Sequence, residues 1–207
     1  MLSLVNLRRP DNTYYTVQVG SLVYDSRNML AAKALMNEYD RVLWIDSDMV
    51  FEADTLERLS EDMDKGLDFV SALCFKRKNP TAPCVYSDIR YGPDGDGVIQ
   101  ADAETMKDYP EDSLFECAGA GFGLVLVSTK LLGAIWEKHG PPFDPMPQMG
   151  EDLACCYRAR QEGYKLYCDS RVKTGHVGKR IYSEKDFIKQ KAETEKQKDN
   201  DENQNRG

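Results

Sequence analysis

"RVLWIDSDMV", residues 41–50, is the stretch on which the fold turns. Val42, Leu43, Trp44 and Ile45 form a short apolar run rich in β-branched and aromatic side chains, which predicts a buried strand. The run leads directly into two carboxylates, Asp46 and Asp48, with Ser47 between them. Side chains alternate along a strand, so an extended backbone would send both carboxylates to the same face. Two like charges held that close repel unless a cation lies between them. An isolated D-x-D fits equally well as a strand end whose aspartate caps the next helix.

The elements on either side predict an α/β domain. "TYYTVQV" (13–19) reads as a strand, and a helix from about Asp25 to Tyr39 places Met29, Ala32, Leu35 and Met36 on one face. After the acidic corner come a helix from about Ala53 to Lys65 and the strand "FVSALCF" (69–75). Strand, helix, strand, helix, strand is the order of an α/β sheet with parallel members. "KRKNPTAP" (76–83) is a basic loop, and "YGPDGDG" (91–97) is a turn cluster able to close a hairpin. "ECAGAGFGLVLVS" (116–128) brings Gly119, Gly121 and Gly123 into another apolar strand. A helix over 129–138 precedes the proline-rich loop "HGPPFDPMPQMG" (139–150), and loops of that length in compact domains are usually functional. A helix from Glu151 to about Glu162 and two short strands, "YKLYC" and "VKTGH", lead to His176. Residues 1–182 read as a single domain, and 183–207 as a charged tail, a fraying helix passing into disorder.

Composition narrows the function. The chain has 207 residues with a net charge of -8, which argues against a nucleic-acid partner. No apolar run approaches the roughly 20 residues of a membrane span, and a signal-peptide pattern is lacking, so the expected location is cytoplasmic. The six cysteines are scattered without a C-x-x-C pair and read as free thiols.

Asp46 and Asp48, the glycine loop, "GED" (150–152) and His176 follow one another in an order that resembles the GT-A glycosyltransferases, most closely the family 2-like enzymes of bacteria and phages. The resemblance covers roughly residues 13 to 178. It implies a GT-A-type, Rossmann-like single domain with a mixed, mainly parallel sheet flanked by helices. It implies a nucleotide-sugar donor, an acceptor hydroxyl on a glycan, protein or small molecule, and transfer with inversion. Asp46, Asp48 and His176 would hold Mn²⁺ or Mg²⁺, with Asp46 also reaching the donor. Asp152 would be the catalytic base, with Glu151 positioning the acceptor or tuning Asp152. Arg27, Gly119 and Gly121 would contact the nucleotide sugar. The segment "MLSLVNLRR" (1–9) resembles the end of the family's first helix, so the family's first strand is missing from the pattern. An exposed sheet edge left in its place invites pairing with a second copy.

Each feature also has a plainer explanation. Glu151 and Asp152 suit a helix N-terminus, glycines before a strand mark turns, and Lys76, Arg77 and Lys78 suit a solvated loop that at most steers an anion. "WIDSDMV" also resembles the motif of haloacid-dehalogenase-type phosphatases, with Asp46 as nucleophile and Asp48 as acid/base. That family carries the motif on its first strand, whereas here a strand and a helix are expected before it. A shortened, inactive sugar-binding domain is the non-enzymatic alternative.

Overall fold

The computed structural model describes residues 2–178 and 181–204. The first half holds α1 (Leu2–Asn6), α2 (Val23–Met36), β1 (Arg41–Ile45), β2 (Met49–Phe51), α3 (Thr55–Met63) and β3 (Phe69–Leu73). Next come β4 (Val85–Pro93), β5 (Ile99–Thr105), β6 (Leu114–Cys117), β7 (Gly119–Ala120) and β8 (Leu124–Ser128). The remainder is α4 (Thr129–His139), α5 (Glu151–Gln161), β9 (Leu166–Val177), β10 (Ile181–Ser183) and α6 (Glu184–Gln204).

The main sheet runs β1-β8-β3-β9-β10, with β2 and β6 also bonded to β9. It is mixed, but the expectation of a mainly parallel sheet is corrected. β8 lies between β1 and β3 and is antiparallel to both, so those two strands point the same way without touching. Among the described residues the parallel pairing is β3 with β9. Local patterns reveal a strand-helix-strand unit, but not a strand arriving some eighty residues later and inserting into it.

Alternation builds a core on each side. Along β8, Val125 and Val127 face Ala31 of α2, Leu131 and Ile135 of α4 and Ala154 of α5, whereas Leu124 and Leu126 face Leu56, Leu59 and Met63 of α3. A strand covered on both faces should be apolar throughout, and "LVLV" is. Ser128 then starts α4, its hydroxyl accepting from Leu131 N–H at 3.1 Å and donating to Asp68 at 2.7 Å. β4 and β5 form the expected hairpin, in a small sheet ordered β5-β4-β7, and Asp94 Oδ1 accepts from the N–H groups of Asp96 and Val98 in its turn.

Three further expectations change. Residues 13–19 are not a strand: the segment crosses the surface with Val17 and Val19 more than three-quarters exposed, touching its neighbours through a Tyr14–Tyr39 ring stack and Lys33 on Thr16. On α2 the buried residues are Arg27, Asn28, Ala31 and Ala34, and Met29 and Met36 lie outside. The two short strands before His176 are one strand, β9, with a register irregularity between its pairings to Ala72 and Leu73.

The charged C-terminal segment is helical through Gln204, and Phe187 packs against Phe75 and Tyr109. Gln190 accepts from Thr81 N–H at 2.8 Å and so ties α6 to the basic loop. No helix among the described residues is long and apolar enough to cross a membrane.

Candidate functional site

β1 ends at Ile45, and the chain then turns through Ser47 and Asp48, with Met49 N–H bonded to the Asp46 carbonyl at 3.1 Å. The strand geometry expected of the two carboxylates therefore does not apply, and each has its own cation. Asp46 accepts from Arg27 Nη2 at 2.9 Å, and Asp48 Oδ2 lies 2.7 Å from Arg77 Nη1. Two guanidinium groups thus balance the paired negative charges of this stretch.

Arg27 is the buried centre of the site. Its Nη1 reaches Glu151 Oε1 at 2.9 Å, joining the start of α5 to the end of β1. The guanidinium carbon also lies 5.4 Å from the Phe122 ring centre and 5.9 Å from that of Phe143. Asn28 beside it fixes the proline loop, accepting from Phe143 N–H and donating to Asp144, and Arg158 bonds the carbonyls of Pro142 and Asp144.

β2 pairs with β9 in the register Met49 to His176, and Val177 N–H bonds the Asp48 carbonyl at 2.8 Å. That pairing places His176 Nε2 3.3 Å from Asp48 Oδ2. His176 Nδ1 lies 2.8 Å from the Phe75 carbonyl, which only accepts, so Nδ1 carries a proton. In the neutral ring Nε2 then presents a lone pair to the carboxylate. The contact is attractive only with a cation, either a proton or a metal ion, between the two atoms. Asp48 and His176 thus form an oxygen-plus-nitrogen pair suited to a divalent metal. Asp46, turned to Arg27, does not join them: among the described residues no group of three or more His, Cys, Asp or Glu is placed to hold an ion.

Asp152 lies at the first turn of α5. Its Oδ1 accepts from Leu153 N–H at 2.7 Å, and a Cβ on Gly121 would lie 3.6 Å from Oδ2. Burial raises its pKa above the usual carboxylate value and the Glu151 charge adds to this, while the Leu153 N–H and Arg27 pull the other way. Burial also pushes the Cys84 thiol up to about 12, with the charges of Asp152 and Asp46 contributing, so both carboxylates act on one small region. Of the glycines, Gly119 is buried in β7, where a Cβ would come within 2.5 Å of Ile89 Cδ1 and 3.1 Å of Cys156. Gly123 is half-buried, and its carbonyl accepts from Asp46 N–H at 2.9 Å.

Sequence patterns pointed to Asp46, Asp48, Glu151, Asp152, His176 and Arg27, and the structure links Arg27 to Asp46 and Glu151, and Asp48 to His176. They missed Arg77 as a partner of Asp48 and Asn28 as the anchor of the proline loop. A basic residue four positions beyond a buried strand is a faint signal for the first; the second had none, because its partners lie more than a hundred residues away.

No family model and no curated protein sequence matches the chain. Solved structures do. The crystal structure of A197 from STIV superposes with a TM-score of 0.56 at 20% identity, covering 81% of this chain and 74% of that one. GalNAc-T7, determined with UDP, GalNAc and Mn²⁺, superposes with a TM-score of 0.51 at 13% identity. That match covers 76% of this chain but 30% of GalNAc-T7, so the chain spans less than a third of that glycosyltransferase. At these identities the likeness is one of architecture: the chain has a GT-A-like fold, a mixed sheet flanked by helices.

Proposed function

We propose that the protein is a metal-dependent glycosyltransferase that moves a sugar from a nucleotide-sugar donor to an acceptor hydroxyl with inversion. The observation that carries this reading is the Asp48–His176 pair, whose imidazole is held by the Phe75 carbonyl with Nε2 facing the carboxylate. The GT-A-like fold supports it, and UDP-sugars are the first donors to test because GalNAc-T7 was determined with UDP, GalNAc and Mn²⁺.

Asp48 and His176 would hold the ion. Manganese suits a mixed oxygen and nitrogen set, and magnesium is the alternative. When bound, the ion neutralises charge developing on the departing nucleoside diphosphate. Asp152 accepts the proton of the acceptor hydroxyl as that oxygen bonds the anomeric carbon and the bond to the diphosphate breaks. Its raised pKa strengthens it as a base. Arg27 holds Glu151 and Asp46 in register, so the acceptor and donor sides keep a fixed relation. Gly121 leaves space beside Asp152 Oδ2, and Gly119 lets β7 pack against α5 beneath it.

The test is release of nucleoside diphosphate from a panel of sugar nucleotides with Mn²⁺. Asp152→Asn should cut transfer by about 10²-fold while keeping the rise in melting temperature that Mn²⁺ gives the wild type. Turnover of simple phosphate monoesters, lost in Asp46→Asn, would instead establish a phosphatase.

A further inference from the structure

We infer that Arg77 is a displaceable counter-ion that occupies the place of the divalent cation at Asp48 and leaves when the cation binds. The inference rests on the cation site proposed above and adds a competitor to it.

Arg77 Nη1 lies 2.7 Å from Asp48 Oδ2, the same oxygen that His176 Nε2 approaches at 3.3 Å. An ion bound by that oxygen and that nitrogen would be a second positive charge beside the guanidinium. The two are like charges drawn to one carboxylate oxygen, and their repulsion favours release of the more weakly held one. Among the described residues little else holds Arg77: its side chain is 50% exposed, and its further hydrogen bond there is one of 3.4 Å to the Val177 carbonyl. Arg27 is the contrast within the same stretch, with a side chain 9% exposed, two carboxylates and two aromatic rings.

The backbone under Arg77 stays fixed. Lys76 N–H bonds the Ala82 carbonyl at 2.8 Å, Cys84 N–H bonds the Cys74 carbonyl at 2.8 Å, and Thr81 Oγ1 donates to the Lys76 carbonyl at 2.7 Å. Displacement is therefore a side-chain swing on an anchored loop. A freed guanidinium beside the cation is placed for an anionic group such as the diphosphate of a sugar nucleotide.

The experiment is titration of the full-length protein with Mn²⁺ alone, following the free-ion electron spin resonance signal and the melting temperature. Arg77→Ala should bind Mn²⁺ about five-fold more tightly than wild type, the worth of one exposed ion pair that no longer has to break. Lys78→Ala removes the same charge from the same loop without touching Asp48, and its affinity should match wild type. The inference is overturned if Arg77→Ala binds no more tightly than wild type, or if Lys78→Ala tightens binding equally. If wild type binds Mn²⁺ in a way that Asp48→Ala abolishes while Arg77→Ala matches wild type, only the displacement fails. If neither wild type nor Arg77→Ala binds Mn²⁺, the cation site falls, and the proposed function with it.

Discussion

Asp46 and Asp48 are two residues apart and each carries an arginine, yet the two pairs are built for different purposes. Asp46 meets an arginine inside the protein, braced by two phenylalanine rings and shared with Glu151. Asp48 meets one on the surface, beside a histidine whose Nε2 faces it at 3.3 Å. A buried arginine cannot leave without stranding two carboxylates, so the first pair acts as structure. An exposed one loses little by leaving, which is what the proposed cation site at the second requires. Similar chemistry becomes scaffold or function according to burial.

The largest effect that could break this contrast is on stability. Arg27→Ala should lower unfolding free energy by about 3 kcal/mol in denaturant titration, because truncating a buried side chain leaves a cavity against two rings and two partly exposed carboxylates lose their shared cation. Arg77→Ala should cost less than about 1 kcal/mol. Equal losses would remove the distinction. Gly119→Ala comes next: its Cβ would enter the space of Ile89 and Cys156 and should cost about 1–3 kcal/mol. Gly121→Ala, whose nearest neighbour would be Cys84 Cβ at 3.2 Å, should cost less.

A smaller effect concerns pH. The folded pKa of Asp152 is raised above 3.8, so protonation stabilises the fold in acid, and that contribution is lost as pH rises through the folded value. Asp152→Asn should therefore melt above wild type at pH 7, with the difference shrinking as pH falls toward 3.8. A constant difference across that range would show that ionisation of Asp152 is not its cause. Smallest should be the response to salt: at about 1 M the loss caused by Arg77→Ala should vanish, and that of Arg27→Ala should largely persist.

Much of this was legible in the sequence because it is local. β1, the helix from Glu151 and the apolar run of β8 each follow from patterns within a dozen residues. What escaped depends on distance. The pattern picks out Arg27 but not its burial, passes over Asn28, and makes Met29 and Met36 look like the core face of α2, until Glu151 and Asp144 arrive from more than a hundred residues away to accept from Arg27 and Asn28. Residues 13–19 have the composition of a strand but no strand beside them, and propensity without a partner makes no sheet. The direction of β1 and β3 was readable, but β8 between them was not.

The insertion of β8 bears on how the protein is made. The backbone at Asp46 is fixed by the carbonyl of Gly123, and that at Asp48 by the pairing of β2 with β9, so a chain emerging from the ribosome carries its decisive carboxylates long before the sheet that positions them is complete. Contacts that span so much sequence form slowly. Until residue 128 is out, the apolar run of β1 lacks its strand partner β8. Until residue 177 is out, Asp48 lacks the pairing that brings His176 to it, so an early fragment would carry the motif without the site. The part of the molecule that is easiest to recognise is thus among the last to be assembled.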